Sequence, residues 1–294
     1  MSGDTGFATI EAPGHRLFVA DEHRAAVEAL GFDEPGTCRA ALARGRPIAG
    51  GRGPHRLLAL PGSDALLRLR PARHGGVFGA WLGDRFRSPE RARRELAIWL
   101  ALRRRGVDLP TPVAAIATRD AVFWRCHFAV LERSGARDGL AWLEADPDPA
   151  TLRRGAVAFA RALRRLHDAG VVHGDLHLRN LLFERVGADA AGGETDGGAL
   201  ACLFVDLDRA RTLDAVPPRE RLAELARLAR SLEKHGLAPR VDARLRARVV
   251  VAYCAGDPSL RRALLEGRGP ERRRLARHRL AWRAGRLLAG MRRA

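Results

Sequence analysis

The chain has 294 residues, of which 46% are hydrophobic and 29% charged, which suits one large or two modest globular domains and excludes a disordered chain. Its formal net charge of +18 comes almost entirely from arginine, because Lys234 is the single lysine among 52 basic residues. A field this positive attracts phosphorylated and carboxylated substrates, although an arginine-rich composition explains the excess as well as an anionic partner does.

The hydropathy pattern and the cysteines limit the location and the kind of site. No apolar run approaches the length of a membrane span, and residues 1–6 lack the charged start and apolar core of a signal peptide. We therefore expect a cytoplasmic protein. The four cysteines show no CxxC spacing, which favours buried free thiols over a zinc site or a disulfide framework.

Residues 1–47 form an N-terminal segment of unclear role. A short helix is predicted from Glu22 to Leu30, where Gly31 ends it. Pro35-Gly36 is typical of a turn. We assign no chemistry to this segment.

Two short apolar runs come next. The first ends at Leu60 and the second begins at Ala65, and the turn between them contains Pro61-Gly62, so the sequence predicts a β-hairpin. Gly51 and Gly53 precede the hairpin, where glycines would let backbone N–H groups approach phosphates without interference from Cβ. A plain glycine-rich turn explains the same residues equally well.

A helix is predicted from Pro89 to Arg105, because a serine cap precedes it and a glycine follows it. Glu95 falls in the middle of its apolar stripe, and an acid that faces inward needs a partner. On the second strand of the hairpin, Arg68 and Arg70 share one face because they are two residues apart. Glu95 therefore either pairs with an arginine or extends to water.

The middle of the chain predicts further strands and the start of a helical region. Residues 109–115 and 127–132 suit strands, and residues 134–139 suit a hinge. Asp148-Pro149 begins a helix with one apolar face, which ends at Gly170. This helix leads directly into the stretch with the clearest chemistry.

Residues 172–183, VHGDLHLRNLLF, place an acid and an amide five positions apart between two apolar runs. In ATP-dependent kinases a carboxylate orients the acceptor hydroxyl and takes its proton, while an asparagine downstream holds magnesium against the phosphates. Asp175 and Asn180 are the candidates. A second acidic motif, LFVDLDR at 203–209, ends an apolar strand pattern and offers Asp206 as another metal ligand. A small-residue insertion at 187–198 explains the long spacing between the motifs.

The motif HGDLHxxN followed by VDLD resembles the kinase-like superfamily that includes aminoglycoside and choline phosphotransferases and bacterial lipopolysaccharide kinases. Two features favour the last group, and in particular the 3-deoxy-D-manno-octulosonic acid (Kdo) kinases. Residues 69–76, LRPARHGG, look like an LRxxxRxGG-type segment with one residue fewer between the two arginines, and DLDRAR followed by ELARLARSL lacks the tryptophan that aminoglycoside phosphotransferases tend to have. The resemblance covers about residues 50–232.

The resemblance implies ATP and Mg²⁺ as cofactors and gives the motif residues their roles. Asp175 would position the acceptor hydroxyl, and Asn180 and Asp206 would hold magnesium. Four neighbours keep two interpretations each. His173 and His177 either support the loop or take part in proton transfer, Arg179 either lies on the surface or faces an anionic acceptor, and Asp208 either assists the metal or is solvated.

The resemblance also implies a phosphate-binding base in the small lobe, where kinases usually have a lysine. The only lysine lies beyond the catalytic stretch, so an arginine would replace it. The motif favours Arg70, paired with Glu95, over Arg68. Gly51 and Gly53 would line the phosphates.

The expected fold is α+β: a bilobal protein-kinase-like fold with a small antiparallel β-sheet lobe at 48–135 and a mostly helical large lobe at 136–294. The basic segment from Glu271 onward either packs on the large lobe or lies on the anionic inner membrane leaflet, which would give a peripheral membrane contact.

The expected function is that of an ATP-dependent kinase that phosphorylates a sugar hydroxyl of the lipopolysaccharide inner core, with Kdo as the favoured acceptor. Its partner would be the lipopolysaccharide core or another anionic glycan, and we do not expect nucleic acid. Two alternatives are an aminoglycoside- or choline-type phosphotransferase and a catalytically silent nucleotide-binding protein. The arginine excess argues against cationic acceptors, and the oligomeric state stays open.

Overall fold

The chain divides into two units, Met1–Ser134 and Gly135–Ala294. Antiparallel strands form most of the first unit. The computed structural model describes residues 6–48, 55–73, 83–186 and 199–267. Five parts of the sequence discussed above lie outside the described residues: Gly51, Gly53, both glycines of the segment at 69–76, the 187–198 insertion and the segment from Glu271 onward.

The sheet of the first unit contains eight described strands in the order β1-β2-β7-β8-β5-β4-β3, with β6 paired to β8, and all pairs are antiparallel. The strands are β1 Phe7–Ala12, β2 His15–Ala20, β3 Arg46–Ile48, β4 His55–Ala59, β5 Leu66–Pro71, β6 Arg85–Phe86, β7 Pro112–Asp120 and β8 Phe123–Leu131. The predicted hairpin is confirmed as β4 and β5.

Within the described residues, three α-helices accompany this sheet: α1 Arg24–Ala29, α2 Pro35–Arg44 and α3 Glu90–Arg104. The prediction for Pro35-Gly36 was wrong, because the chain begins α2 there instead of turning. Proline fits the first turn of a helix, where its missing N–H would have no partner in any case. Helix α3 lies where the sequence predicts it, and the Ser88 hydroxyl accepts the Glu90 N–H at 3.1 Å.

The N-terminal segment is part of the same core. Strand β2 pairs with β7, and Leu17, Val19 and Phe32 are completely buried together with apolar residues of β5 and β7. The segment is therefore packed into the first unit, which the sequence alone did not indicate.

The second unit is mostly helical. Its helices are α4 Gly139–Glu144, α5 Pro149–Asp168, α6 Pro218–Lys234, α7 Ala243–Cys254 and α8 Pro258–Glu266. Its short strands are β9 Arg137–Asp138, β10 Val171–Val172, β11 Leu181–Val186, β12 Ala199–Phe204 and β13 Arg211–Thr212, in which β11 pairs with β12 and β9, and β10 pairs with β13. The expected α+β composition is confirmed.

Both ends of α5 match the sequence signals. The Asp148 carboxylate accepts the N–H groups of Ala150 and Thr151 at 2.7 and 3.0 Å. Beyond the helix, Gly170 has a φ of 77°, and a Cβ there would stand 2.3 Å from the Leu213 carbonyl oxygen. Gly170 therefore ends the helix and turns the chain into β10.

The cysteines are free and buried, as the sequence predicts, with Cys38 and Cys126 in the first unit and Cys202 and Cys254 in the second. Burial raises the pKa of Cys38 and Cys126 to about 12, so both stay protonated at neutral pH. Among the described residues, no helix has the length and apolarity needed to cross a bilayer.

Burial of histidines makes the stability of the fold sensitive to acid. Burial lowers the pKa of His127 in β8 to about 4, from 6.5 for an ordinary imidazole. Burial also lowers the pKa values of His15, His167 and His173. Between the folded and unfolded pKa values the unfolded chain binds more protons, so acid favours unfolding in that range.

We expect the free energy of unfolding to be highest above pH 6.5 and to decrease, by about 2–3 kcal/mol from His127 alone, as the pH falls toward 4. Urea denaturation followed by circular dichroism across this range measures the decrease. His127→Gln should flatten part of the slope, whereas His235→Gln in the second unit serves as the control. An identical slope in wild type and His127→Gln would contradict the assignment.

Candidate active site

The loop between β10 and β11 carries the predicted catalytic motif, and a glycine lets it approach a neighbouring segment. Gly174 has a φ of 81°, a conformation that side chains with a Cβ rarely adopt. A Cβ at Gly174 would stand 2.3 Å from the carbonyl oxygen of Arg209. The glycine therefore allows the Asp175 loop to lie directly against the segment that follows Asp206.

His173 supports this loop. Its ring is completely buried, Nε2 donates to the Val205 carbonyl at 3.1 Å, and Nδ1 accepts the Asp175 N–H at 3.4 Å. One nitrogen donates and the other accepts, which is the pattern of a neutral imidazole. Burial lowers the pKa of His173 and so favours the same neutral form. These contacts are those of a loop-supporting residue.

Asn180 connects the two acidic motifs. Its Nδ2 donates to the backbone carbonyl of Asp175 at 2.9 Å, and its own backbone carbonyl accepts the N–H of Val205 at 3.0 Å. The structure thus brings the backbone of the Asp175 loop, Asn180 and the residue before Asp206 together. Because Nδ2 is used for the loop, the amide Oδ1 is the atom directed to other ligands.

Asp206 follows the end of β12 in an unusual backbone conformation. Its φ is 60°, in the left-handed region that non-glycine residues seldom occupy. Such strain persists where the surroundings enforce it and is found often at functional sites. Asp175, Asp206 and His177 are half-buried, whereas Arg179 and Asp208 are exposed.

Glu224 is a site-supporting residue that the sequence reasoning missed. It lies on α6 and is completely buried, and its carboxylate accepts the N–H of His173 at 2.8 Å and the N–H of Gly174 at 2.9 Å. Burial by itself raises the pKa of Glu224, but hydrogen bonding to His167 and to the His173 backbone outweighs it, and the net pKa is lowered. An ionised carboxylate therefore holds the two residues immediately before Asp175.

Behind Glu224 lies a chain of buried polar groups. Arg221 Nη1 donates to the Tyr253 hydroxyl at 2.9 Å, and that hydroxyl lies 2.6 Å from His167 Nδ1. His167 Nε2 is 3.5 Å from the Glu224 carboxylate. Burial lowers the pKa of His167 and favours its neutral form, and Glu224 is ionised, so Nε2 carries the proton that faces Glu224 and Nδ1 accepts from the Tyr253 hydroxyl. The chain orients Glu224 from the side opposite the loop.

One sequence signal points to this support. Arg221, Glu224 and Ser231 lie three and seven residues apart on α6 and are all buried, and the Ser231 hydroxyl accepts the Leu178 N–H at 3.2 Å. The leucines at 225, 228 and 232 are only half-buried. The polar residues at helical spacing, rather than the leucines, mark the face that supports the catalytic loop.

In the first unit, Glu95 and Arg70 form the ion pair that the inward-facing acid required. Glu95 on α3 is 7% exposed, and Arg70 Nη2 on β5 donates to its carboxylate. The Arg70 guanidinium also lies 5.3 Å from the centre of the buried Phe128 ring. Arg68 instead binds Glu132 with both Nε and Nη2, the latter at 2.6 Å. The two arginines thus have separate acidic partners.

The donor set around Asn180 suits magnesium. Among the described residues there is no group of three or more His, Cys, Asp or Glu side chains able to hold a metal ion. Magnesium does not require one, since it is usually bound by one or two carboxylates together with substrate phosphates and water. Asp206 and the oriented amide oxygen of Asn180 fit this requirement.

Comparisons with known proteins agree with these features. A family model described as lipopolysaccharide kinase (Kdo/WaaP) family matches residues 81–248. A 3-deoxy-D-manno-octulosonic acid kinase of Photobacterium profundum is 31% identical over 145 residues, covering 48% of this chain and 60% of the relative. One of Xylella fastidiosa is 30% identical over 190 residues, covering 63% and 68%. The chain thus spans little more than half the length of the first curated relatives it matches.

A solved structure of WaaP in complex with acyl carrier protein aligns with a TM-score of 0.55 at 23% identity, covering 86% of this chain and 94% of that one. This likeness confirms the expected protein-kinase-like fold. The resemblance to lipopolysaccharide kinases, which the acidic motifs and the DLDRAR segment predicted, is confirmed by the family match.

We expect Glu224→Gln to lower the free energy of unfolding by about 1–3 kcal/mol, because an amide can accept only one of the two backbone N–H groups without turning its own NH₂ toward the other. Urea denaturation followed by circular dichroism measures the loss of stability. Glu220→Gln on the partly exposed first turn of α6 is the control. Equal stability of the Glu224 variant and wild type would show that the loop does not depend on this carboxylate.

Proposed function

Because the chain belongs to the lipopolysaccharide kinase (Kdo/WaaP) family, we propose that it is an ATP-dependent kinase that phosphorylates a sugar hydroxyl of the lipopolysaccharide inner core, with Kdo as the acceptor. One observation carries the proposal: Asn180 ties the backbone of the Asp175 loop to the residue before Asp206. The residues that a phosphotransferase needs are thereby held next to each other.

Asp175 acts on the acceptor hydroxyl. Its carboxylate accepts a hydrogen bond from the sugar O–H, orients the oxygen toward the γ-phosphorus and takes the proton as the bond forms. The new bond joins the sugar oxygen to the γ-phosphorus, the bond from that phosphorus to the β–γ bridging oxygen breaks, and ADP leaves with the bridging oxygen. The Glu224 anchor and the His173 contacts fix the backbone on which Asp175 stands.

Asn180 and Asp206 would hold Mg²⁺, which neutralises negative charge on the phosphates when it is bound. The protein's own part is to present the two ligand atoms. The Asn180 side chain is turned by its bond to the Asp175 carbonyl, and Asp206 is held by the left-handed backbone after β12. Exposed Asp208, two residues later, assists through its charge.

Arg70 takes the place of the missing lysine as the base that grips the phosphates. A guanidinium binds phosphate with two parallel N–H groups, so the replacement keeps the charge and adds directionality. Glu95 orients Arg70, whereas Arg68 already donates to Glu132 from both Nε and Nη2. The backbone at Gly51 and Gly53 completes this phosphate site in our proposal.

The acceptor is anionic. Kdo carries a carboxylate, and Arg179 is exposed on the catalytic loop, four residues after Asp175. Arg179 binds the acceptor carboxylate, and half-buried His177 faces the same substrate. The net charge of +18 favours such an acceptor over a cationic aminoglycoside. ATP and the growing lipid-linked acceptor meet at the cytoplasmic side of the inner membrane, where we place the protein.

Asp175→Asn should lower kcat about 10²–10⁴-fold, because the amide cannot take the proton. Asp206→Asn should weaken magnesium-dependent ATP binding as well. Transfer of labelled phosphate from ATP to Kdo-lipid A measures the first effect, and nucleotide titration at several magnesium concentrations measures the second. Asp214→Asn, an exposed change in the same unit, is the control. Full activity of Asp175→Asn in a folded protein would refute the catalytic assignment.

Arg70→Gln should raise the dissociation constant for magnesium-ATP about tenfold or more, since the phosphates lose a charged donor. Arg70→Lys keeps the charge beside Glu95 and should restore most of the affinity. Arg68→Gln should change it little. Fluorescent-nucleotide titration compares the three variants. The reverse ranking, with Arg68→Gln the weaker binder, would transfer the phosphate-binding role to Arg68.

A further inference from the structure

A groove on the second unit lies between α5, the first residues of β12 and α7. Its volume is about 580 Å³, within the range of sites for small ligands. Its lining consists of five arginines and seven small or apolar residues: Ala150, Arg153, Arg154, Val157, Ala158, Arg161, Arg165, Ala199, Leu200, Ala201, Cys202 and Arg248.

The charge of this groove exceeds what the composition of the chain explains. Basic residues make up 52 of 294 in the whole chain, whereas five of the twelve residues lining the groove are arginines and none is acidic. Arg153, Arg161 and Arg248 are exposed and make no ion pair or hydrogen bond with another described residue. Arginines elsewhere in this unit, such as Arg211 and Arg240, have carboxylate partners.

Arg154 lines the groove but makes its hydrogen bond within its own helix. Its Nη2 donates to the Thr151 hydroxyl at 2.8 Å, but its Nε is buried and has no hydrogen-bond partner within the described part of the chain. Buried N–H groups almost always have a partner, because an unsatisfied one costs about 1–3 kcal/mol. Water cannot reach this atom, so an anion in the groove cannot reach it either, and the charge available to a ligand is that of the exposed arginines.

The shape and lining of the groove select one class of ligand. Guanidinium groups bind phosphate oxygens, and the apolar residues among them, including Val157 and Leu200, favour a ligand with an apolar part. A nucleic acid would use aromatic stacking, and the lining contains no aromatic side chain. A protein partner uses about 20–30 residues on each side of a stable interface, whereas twelve residues line this groove.

The groove is separate from the proposed catalytic residues. Ala199, Leu200, Ala201 and Cys202 occupy the start of β12, and Asp206 lies beyond its other end. A strand rises about 3.3 Å per residue, so Cys202, the lining residue nearest to Asp206 along the chain, is separated from it by roughly 13 Å. A ligand in the groove therefore does not take the place of the acceptor hydroxyl or of ATP.

We infer that this groove binds the phosphate-bearing headgroup of an anionic lipid. The exposed arginines contact the phosphate, and the apolar lining contacts the first carbons of the acyl chain. Bound in this way, the second unit is attached to a membrane surface by α5 and α7. The inference does not depend on the proposed reaction, because binding is measured without turnover.

The test is co-sedimentation of the full chain with vesicles of phosphatidylglycerol and phosphatidylcholine in a one-to-two ratio, compared with phosphatidylcholine alone. The groove variant carries Arg153→Gln, Arg161→Gln and Arg248→Gln. The control variant carries Arg39→Gln, Arg44→Gln and Arg46→Gln, which removes the same charge from exposed arginines of the first unit. We expect binding to the anionic vesicles to weaken about tenfold or more in the groove variant and to change little in the control.

Three outcomes would overturn the inference. Equal losses in both variants would show that the net charge of the chain, and no particular site, attracts the vesicles. An unchanged groove variant would place the contact elsewhere. Calorimetric binding of glycerol 3-phosphate to the groove as tightly as the vesicles bind would show that a free phosphate is the ligand and that the apolar lining has no part. If phosphotransfer fails while groove-dependent vesicle binding persists, only the proposed reaction is contradicted.

Discussion

The arrangement of the second unit depends on one buried carboxylate. Glu224 accepts the consecutive N–H groups of His173 and Gly174, the two residues before Asp175. A loop that turns this sharply leaves backbone donors without partners in the chain itself, and burying them unsatisfied would be costly. A charged acceptor on a long helix solves this problem, since hydrogen bonds to ionised groups are the stronger ones. The position of Asp175 thus follows from the position of α6.

The first unit also buries a carboxylate, but there a cation compensates its charge. Glu95 is nearly inaccessible on the inner face of α3, and Arg70 on β5 compensates its charge. Arginine at this position has properties that lysine lacks. Its planar head can pair with a carboxylate on one edge and still present N–H groups on another, while its face rests on Phe128. An arginine-rich chain can therefore keep a phosphate-binding base.

The sequence predicted the elements whose signals are local and missed those that depend on packing at a distance. The Asp148-Pro149 helix start and the Pro61-Gly62 turn each depend on a few neighbouring residues, and both are found as predicted. Asp175 and Asn180 are close in sequence and lie in one loop, where the Asn180 amide donates to the Asp175 carbonyl. Pro35 misled because proline favours turns and helix starts alike, and only the burial of Cys38 and Ala41 decides between them. Glu224 looked like the polar side of an amphipathic helix, since its partners lie some fifty residues earlier in the chain. Strands β1 and β2 gave no chemical signal at all.

The buried thiols provide a way to follow the unfolding of each unit. Each unit contains two cysteines, and all four are sequestered from solvent. A thiol with a pKa near 12, as at Cys38 and Cys126, reacts with alkylating reagents only after the structure around it has loosened. The native chain therefore carries built-in reporters for each half, and mass spectrometry of the modified peptides can tell which half loosens first without the introduction of any label.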